Sequence, residues 1–311
     1  MYVAADRIAD GWNPPQRAGR PFMEVYRRML HDMARHHINV VVIEGTSGIP
    51  VENLREIIRE GEKFGILTWA SENGKPDVSR QRALKDERGL LAWSPFDEPL
   101  MEQMAQWKEL KRQFEEADPN HPVICVTHGG PKGFENFSVV QACDYYPVMA
   151  DRPDPWSVAP FVARYVATGK PIWFVQQAFH GEGRRLPTPA EGRLMTYLAL
   201  AHGAKGIFYF IYDHLTDPVQ NPTDLWNDTK RMARELAIWG PELLDTTVES
   251  VKRVGNVGVS VLRSKRGHAY GIVYNPDVKK SVDAVVEFES KKVALTLEPG
   301  GGKILGPEPR R

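Results

Sequence analysis

The sequence predicts a (β/α)8 barrel followed by a small β domain. Three observations carry this: strand-like apolar runs alternate with helical periodicity, the eighth such unit closes at about residue 246, and helical periodicity then stops. The chain has 311 residues, 42% of them hydrophobic, enough to bury a sizeable core. The expected division is a barrel over 1–246 and a β domain over 247–311.

Tyr2 to Asp6 opens the series as β1, and Met23, Tyr26, Leu30 and Met33 give helical spacing to Phe22–His36. The β-branched run Asn39 to Glu44 is β2, of the kind buried on both faces. A helix from Val51 to Phe64 follows, with Gly65 as its stop. Ile66 to Ser71 is β3, followed by a short charged helix over Asp77–Arg88. Leu90 to Phe96 is β4, with Met101–Ala117 as its helix.

Pro122 to Thr127 gives β5 and a short helix near Phe137–Gln141. Ala142 to Pro147 gives β6 and a helix over Trp156–Thr168; Pro171 to Gln177 gives β7 and the apolar helix Ala190–His202. Gly206 to Asp213 is β8, and Asp224–Trp239 closes the ring. Beyond Leu244 come five short strand-forming runs, near residues 251–254, 257–263, 269–275, 282–288 and 292–297. Asn275-Pro276 and Pro299-Gly300-Gly301-Gly302 supply turns, so an antiparallel sheet or half-sandwich with a structural role is expected.

Forty Lys plus Arg balance forty Asp plus Glu. That neutrality argues against a nucleic-acid partner. No apolar run reaches the roughly 18 to 20 residues that cross a bilayer, so no membrane partner is expected. The first strand starts almost without lead-in, which leaves a cytoplasmic location or a removed signal segment open. Cys125 and Cys143 fall within neighbouring strands and read as reduced core residues.

In this architecture the reactive groups sit at the C-terminal ends of the strands. Those ends carry Asp6 and Arg7, Glu44, Ser71 and Glu72, Asp97 and Glu98, Thr127 and His128, and Asp144 with Tyr145 and Tyr146. Gln176, Gln177 and His180 follow after β7, and Tyr212, Asp213 and His214 after β8. Trp69, Trp93, Trp173, Tyr209 and Tyr212 interleave with them. Aromatic faces beside carboxylates and amides suit a carbohydrate, whose apolar ring face is rimmed by hydroxyls. The three histidines sit on different strands without zinc-site spacing, so neither metal nor cofactor is expected. For Glu72 the ordinary role of pairing with a loop cation stands first, as it does for Glu44 and Asp213 taken singly.

The most specific segment is Trp93-Ser-Pro-Phe-Asp-Glu98-Pro99. Here the chain resembles the large clan of (β/α)8 glycoside hydrolases, in which β4 ends in Asn-Glu, often followed by Pro, and the Glu is the general acid/base. Asp118-Pro-Asn-His-Pro122, Asp144-Tyr-Tyr-Pro147 and the stretch Glu191 to Tyr209 extend the resemblance over most of residues 90–213. It implies that Glu98 is the catalytic acid. Asp97 itself reads as orienting its neighbours by hydrogen bonds.

The resemblance breaks at β7, where retaining members carry a nucleophilic Glu and this chain has Gln176 and Gln177. Three readings stand open: an inverting enzyme with its second carboxylate elsewhere, an engineered Glu-to-Gln change, or a carbohydrate-binding protein on a decayed barrel. The first is preferred, with Asp144 as the second carboxylate and Glu44 or Asp213 behind it. Two strands of separation would set Glu98 and Asp144 about 6.5 to 9.5 Å apart, the spacing of inversion. Asp6, Glu44, Trp69, Asp97, His128, Tyr145, Gln176, Gln177, Tyr212 and Asp213 complete the expected substrate-binding set.

Overall fold

A computed structural model describes residues 1–4, 22–72, 78–216 and 223–309. The strands are β1 (Tyr2–Ala4), β2 (Val40–Glu44), β3 (Leu67–Ser71), β4 (Leu90–Ser94), β5 (Cys125–Thr127), β6 (Gln141–Tyr145), β7 (Ile172–Gln177) and β8 (Gly206–Phe210). Among them run helices α1 (Phe22–Arg35), α2 (Val51–Lys63), α3 (Val78–Leu84), α4 (Met104–Ala117), α5 (Val158–Val166) and α6 (Pro189–Ala201). After β8 come the single turn α7 (Tyr212–Leu215) and the long α8 (Asp224–Leu243). Sheet orders 1-2-3-4 and 5-6-7-8 give the (β/α)8 fold, and a parallel bridge from Trp93 to Val123 continues β4 into β5.

The chain divides into two compact units, Met1–Ala142 with Tyr209–Asn221, and Cys143–Phe208 with Pro222–Arg311. In the first, parallel register aligns Ala4, Glu44, Ser71 and Ser94 at one level. Because strand side chains alternate with period two, Val42, Trp69 and Ala92 lie one layer beneath that row on the same face. Trp93 falls on the opposite face. Its ring meets Phe114 of α4 edge-on at 6.3 Å, and its indole N–H donates to Asp118 Oδ2 at 2.8 Å.

The helix expected after β5 is absent. Gly129, Gly130 and Gly133 all adopt positive φ there, and the chain instead turns Phe134 and Phe137 inward. Strand β8 is shorter than expected, since Tyr212 to Leu215 coil into α7.

In the second unit, β9 (Thr246–Val254), β10 (Val257–Ser264), β11 (Ala269–Tyr274) and β14 (Gly302–Leu305) form an antiparallel sheet in the order 14-11-10-9. Strands β12 (Val282–Phe288) and β13 (Lys291–Leu297) pair separately, and Val286 and Leu297 pack on Val257, Val259 and Val273 of the larger sheet. Sequence reading missed β14 because it starts on the last of three glycines that look only like a turn.

Helix α6 is buried all round, its polar Glu191, Arg193 and Thr196 included. Leu194, Tyr197 and Leu198 share a core with Leu262, Tyr270, Ile272 and Ile304 of the sheet. Arg193 reaches Asp228 on α8 at 2.6 Å and the Pro299 carbonyl at 2.8 Å. The sheet is thus part of this unit's core.

Candidate active site

Glu98 is the expected acid, and its backbone is unusual. Its φ is 43°, a left-handed conformation in a non-glycine residue that costs about 1–2 kcal/mol. The proline that follows disfavours the ordinary helical alternative. The side chain is 39% exposed, and His128 Nδ1 lies 3.4 Å from its Oε2. A solvent-reachable carboxyl beside an imidazole can both receive and pass on a proton.

Trp107 of α4 joins the two loops that carry this pair. Its indole N–H donates to the Phe96 carbonyl at 3.2 Å, two residues before Glu98, and its ring stacks at 5.2 Å on Phe137 from the loop after β5. Sequence analysis did not single it out. The available signal was its place on the buried face of α4 with Phe114 and Ala117.

Asp97 is half-buried and hydrogen-bonded to Glu44 from the end of β2. Burial first, and then the neighbouring Glu98 charge, push its pKa up to about 7. Glu44 thus lies at the strand-end row, in contact with Asp97. Glu72, just beyond β3, takes the structural role expected of it. It is fully buried 3.2 Å from Arg80 Nε, while the rest of that guanidinium donates to the Ile49 and Thr46 carbonyls.

Several expected substrate contacts are committed elsewhere. Trp69 has no exposed surface and fills the layer below the row, so it offers no face to a sugar. Trp93 is tied outward to Asp118, which also accepts the His121 ring at 2.8 Å and the Asn120 and His121 amides. The Asp118-Pro-Asn-His-Pro122 segment is therefore a turn locked by the buried Asp118. Tyr212 donates its phenol to Asp32 of α1 at 2.9 Å and is buried, in place of the sugar contact expected of it. Burial, then Asp32, raises its pKa well above the phenol range. Asp213, beside it, is half-buried. Asp6 lies outside the described residues.

In the second unit, Asp144 is buried in β6 next to Cys143, whose thiol burial and the Asp144 charge push up. Tyr145 is half-buried and stacks on Phe161 at 4.4 Å. Gln176 donates to the Gly192 carbonyl at 3.1 Å and accepts from Thr196 at 2.9 Å. Gln177 accepts the Val148 amide at 2.8 Å and donates to the carbonyls of Val148, Phe179 and Arg185. Both amides are fully buried. Such a set needs a group that donates and accepts at once, which a carboxylate cannot do. The geometry therefore gives Gln176 and Gln177 internal structural partners rather than the hydroxyl contacts expected of them.

Both cysteines are free and buried. Among the described residues no group of three or more His, Cys, Asp or Glu is placed to hold a metal, and no helix is long and apolar enough to cross a membrane.

No family model matches the chain, and no curated relative does. Solved structures do match. One described as a glycoside hydrolase is 16% identical over 91% of this chain and 85% of its own, with a TM-score of 0.63. A glycoside hydrolase family 5 protein from Bacteroides vulgatus is 11% identical over 91% and 82%, with a TM-score of 0.64. The fold is that of glycoside hydrolase barrels. Alpha-galactosidase I from Mortierella vinacea shares it too, at 10% identity over 91% and 92% and a TM-score of 0.58. At these identities the likeness is one of fold, and chemistry has to be argued from the site.

Proposed function

We propose that the chain is a glycoside hydrolase in which Glu98 is the general acid. The carrying observation is Glu98 itself: a carboxyl at the end of β4, held in a costly backbone conformation, open to solvent, with an imidazole at 3.4 Å. Strain of this kind persists where the surroundings over-determine a residue, and it concentrates at reactive positions. The likeness in fold to glycoside hydrolases supports the reading.

Protonated Glu98 would give its proton to the glycosidic oxygen as that bond breaks, and His128 would restore it. The second carboxylate is assigned to Asp144, which would activate the attacking water. The amides of Gln176 and Gln177 support this assignment, because their hydrogen bonds leave β7 without a nucleophile and so favour inversion.

Hydrolysis of a panel of aryl glycosides and oligosaccharides, with Glu98→Gln and Asp144→Asn as controls, tests the proposal. Each variant should lose at least about a hundredfold in kcat, the lower end of general acid/base contributions, and proton NMR should show the inverted anomer first. Saturable sugar binding without any product would instead favour a carbohydrate-binding protein, the reading that β7's lack of a carboxylate also suits.

A further inference from the structure

The loops that carry Glu98 and His128 meet at a second place. The ε-methyl groups of Met101 and Met104 both converge on Gly133, within 3.2 and 3.4 Å of where a β-carbon there would stand. Leu100 and Met101 follow Glu98-Pro99 directly, yet they are 51% and 58% exposed. One seam between two loops therefore carries a carboxyl and imidazole at one point and bare thioether and leucine surface a few residues on.

The polar groups along the seam add little that could grip a sugar. Gln103 uses its side-chain oxygen on the Leu100 amide at 2.8 Å. Glu135 spends a carboxylate oxygen on the Gly133 amide at 2.9 Å, Glu102 and Lys132 are exposed charges at the rim, and Gly129, Gly130, Pro131 and Gly133 bring no polar side chain. A sugar face laid on the thioethers and the leucine would meet few partners for the hydroxyls turned toward them, a cost an apolar group does not carry. Methionine adapts its shape and suits apolar ligands of varied outline.

The acid gives its proton to the leaving oxygen, so surface continuous with Glu98 is where the leaving group comes to rest. We propose that the Leu100–Met101–Met104 seam is the leaving-group side of the site and takes an apolar aglycone, an alkyl or aryl group, in place of a further sugar. The proposal rests on the hydrolase reading and names the substrate class: glycosides of hydrophobic alcohols or phenols.

Two measurements test it. The first uses protein labelled with 13C at the methionine ε-methyls and titrated with 4-nitrophenol, an apolar leaving group by itself. The Met101 and Met104 resonances should shift saturably, while those of the buried Met29 and Met33 stay in place. Unmoved seam resonances, or equal shifts at all four, overturn the subsite whether or not the protein is an enzyme.

The second compares n-hexyl glycosides with disaccharides of the same glycone, whose leaving alcohols are chemically similar. The ratio of kcat/KM should favour the hexyl glycoside, and the double variant Leu100→Ser/Met101→Ser should lower that ratio about tenfold, through KM. A ratio favouring the disaccharide, or one the variant leaves unchanged, refutes the aglycone assignment while the hydrolase stands. Absence of all hydrolysis sinks the hydrolase reading, and the methyl titration then decides the subsite alone.

Discussion

The side chain of Gln177 holds Val148 by both of its backbone groups: Oε1 accepts the Val148 amide at 2.8 Å and Nε2 donates to the Val148 carbonyl at 3.2 Å. The same Nε2 reaches the Phe179 and Arg185 carbonyls, so one amide at the end of β7 gathers three stretches of chain. Substituting Glu would set a carboxylate against three carbonyl oxygens. Gln177→Glu should lower unfolding free energy by about 3 kcal/mol or more in urea titrations, without creating a covalent glycosyl intermediate. A variant as stable as the parent, or one labelled by a mechanism-based glycosyl fluoride, would contradict this.

Glu98 should show opposite effects of substitution on stability and activity. Glu98→Gly removes the carboxyl together with the strain of the left-handed backbone, so the melting temperature should rise, by a free energy of about 1 kcal/mol. Glu98→Gln keeps the strain and should leave stability nearly unchanged while activity falls. Calorimetry on the two variants checks the contrast, and a glycine variant less stable than the parent would show that φ at this position is not strained.

Asp97 predicts a pH dependence whose sign is fixed. Its folded-state pKa, about 7, lies above the ordinary carboxylate value of about 4. Folding therefore takes up a proton between these values, and the stability this group contributes is lost as pH rises through the window. Asn needs no such proton. The melting temperature of Asp97→Asn relative to the parent should accordingly climb from pH 4 to pH 7 and then level off; a flat difference across that range would place the raised pKa elsewhere.

The C-terminal sheet cannot be removed as a mere cover. Gly300 has φ 63°, and a β-carbon there would stand 1.9 Å from the Ala190 carbonyl oxygen at the start of α6. Gly300→Ala should cost about 2–5 kcal/mol from backbone strain and overlap together, read as a lowered denaturant midpoint. Deletion after Leu244 would strip Leu262, Tyr270, Ile272 and Ile304 from the core they share with α6. The truncated chain should therefore fail to fold. A soluble, cooperatively melting truncation would contradict this.

What the sequence determined by itself is local and periodic. The β-branched run ending in Glu44, the run ending before Asp97 and Glu98, and the apolar length of α6 each carry their structure in spacing that a few residues suffice to set. The eight-unit order followed, and with it the strand ends where Glu44 and Glu98 stand. What only the tertiary structure decided is which partner each polar group meets. Tyr212 finds Asp32, 180 residues away, Trp93 turns to Asp118, and Gln177 is enclosed by carbonyls of two other segments. A strand end fixes where a side chain starts. The loops that reach it decide whether it faces solvent or is used up inside, because burying a polar group demands a partner that periodicity does not name.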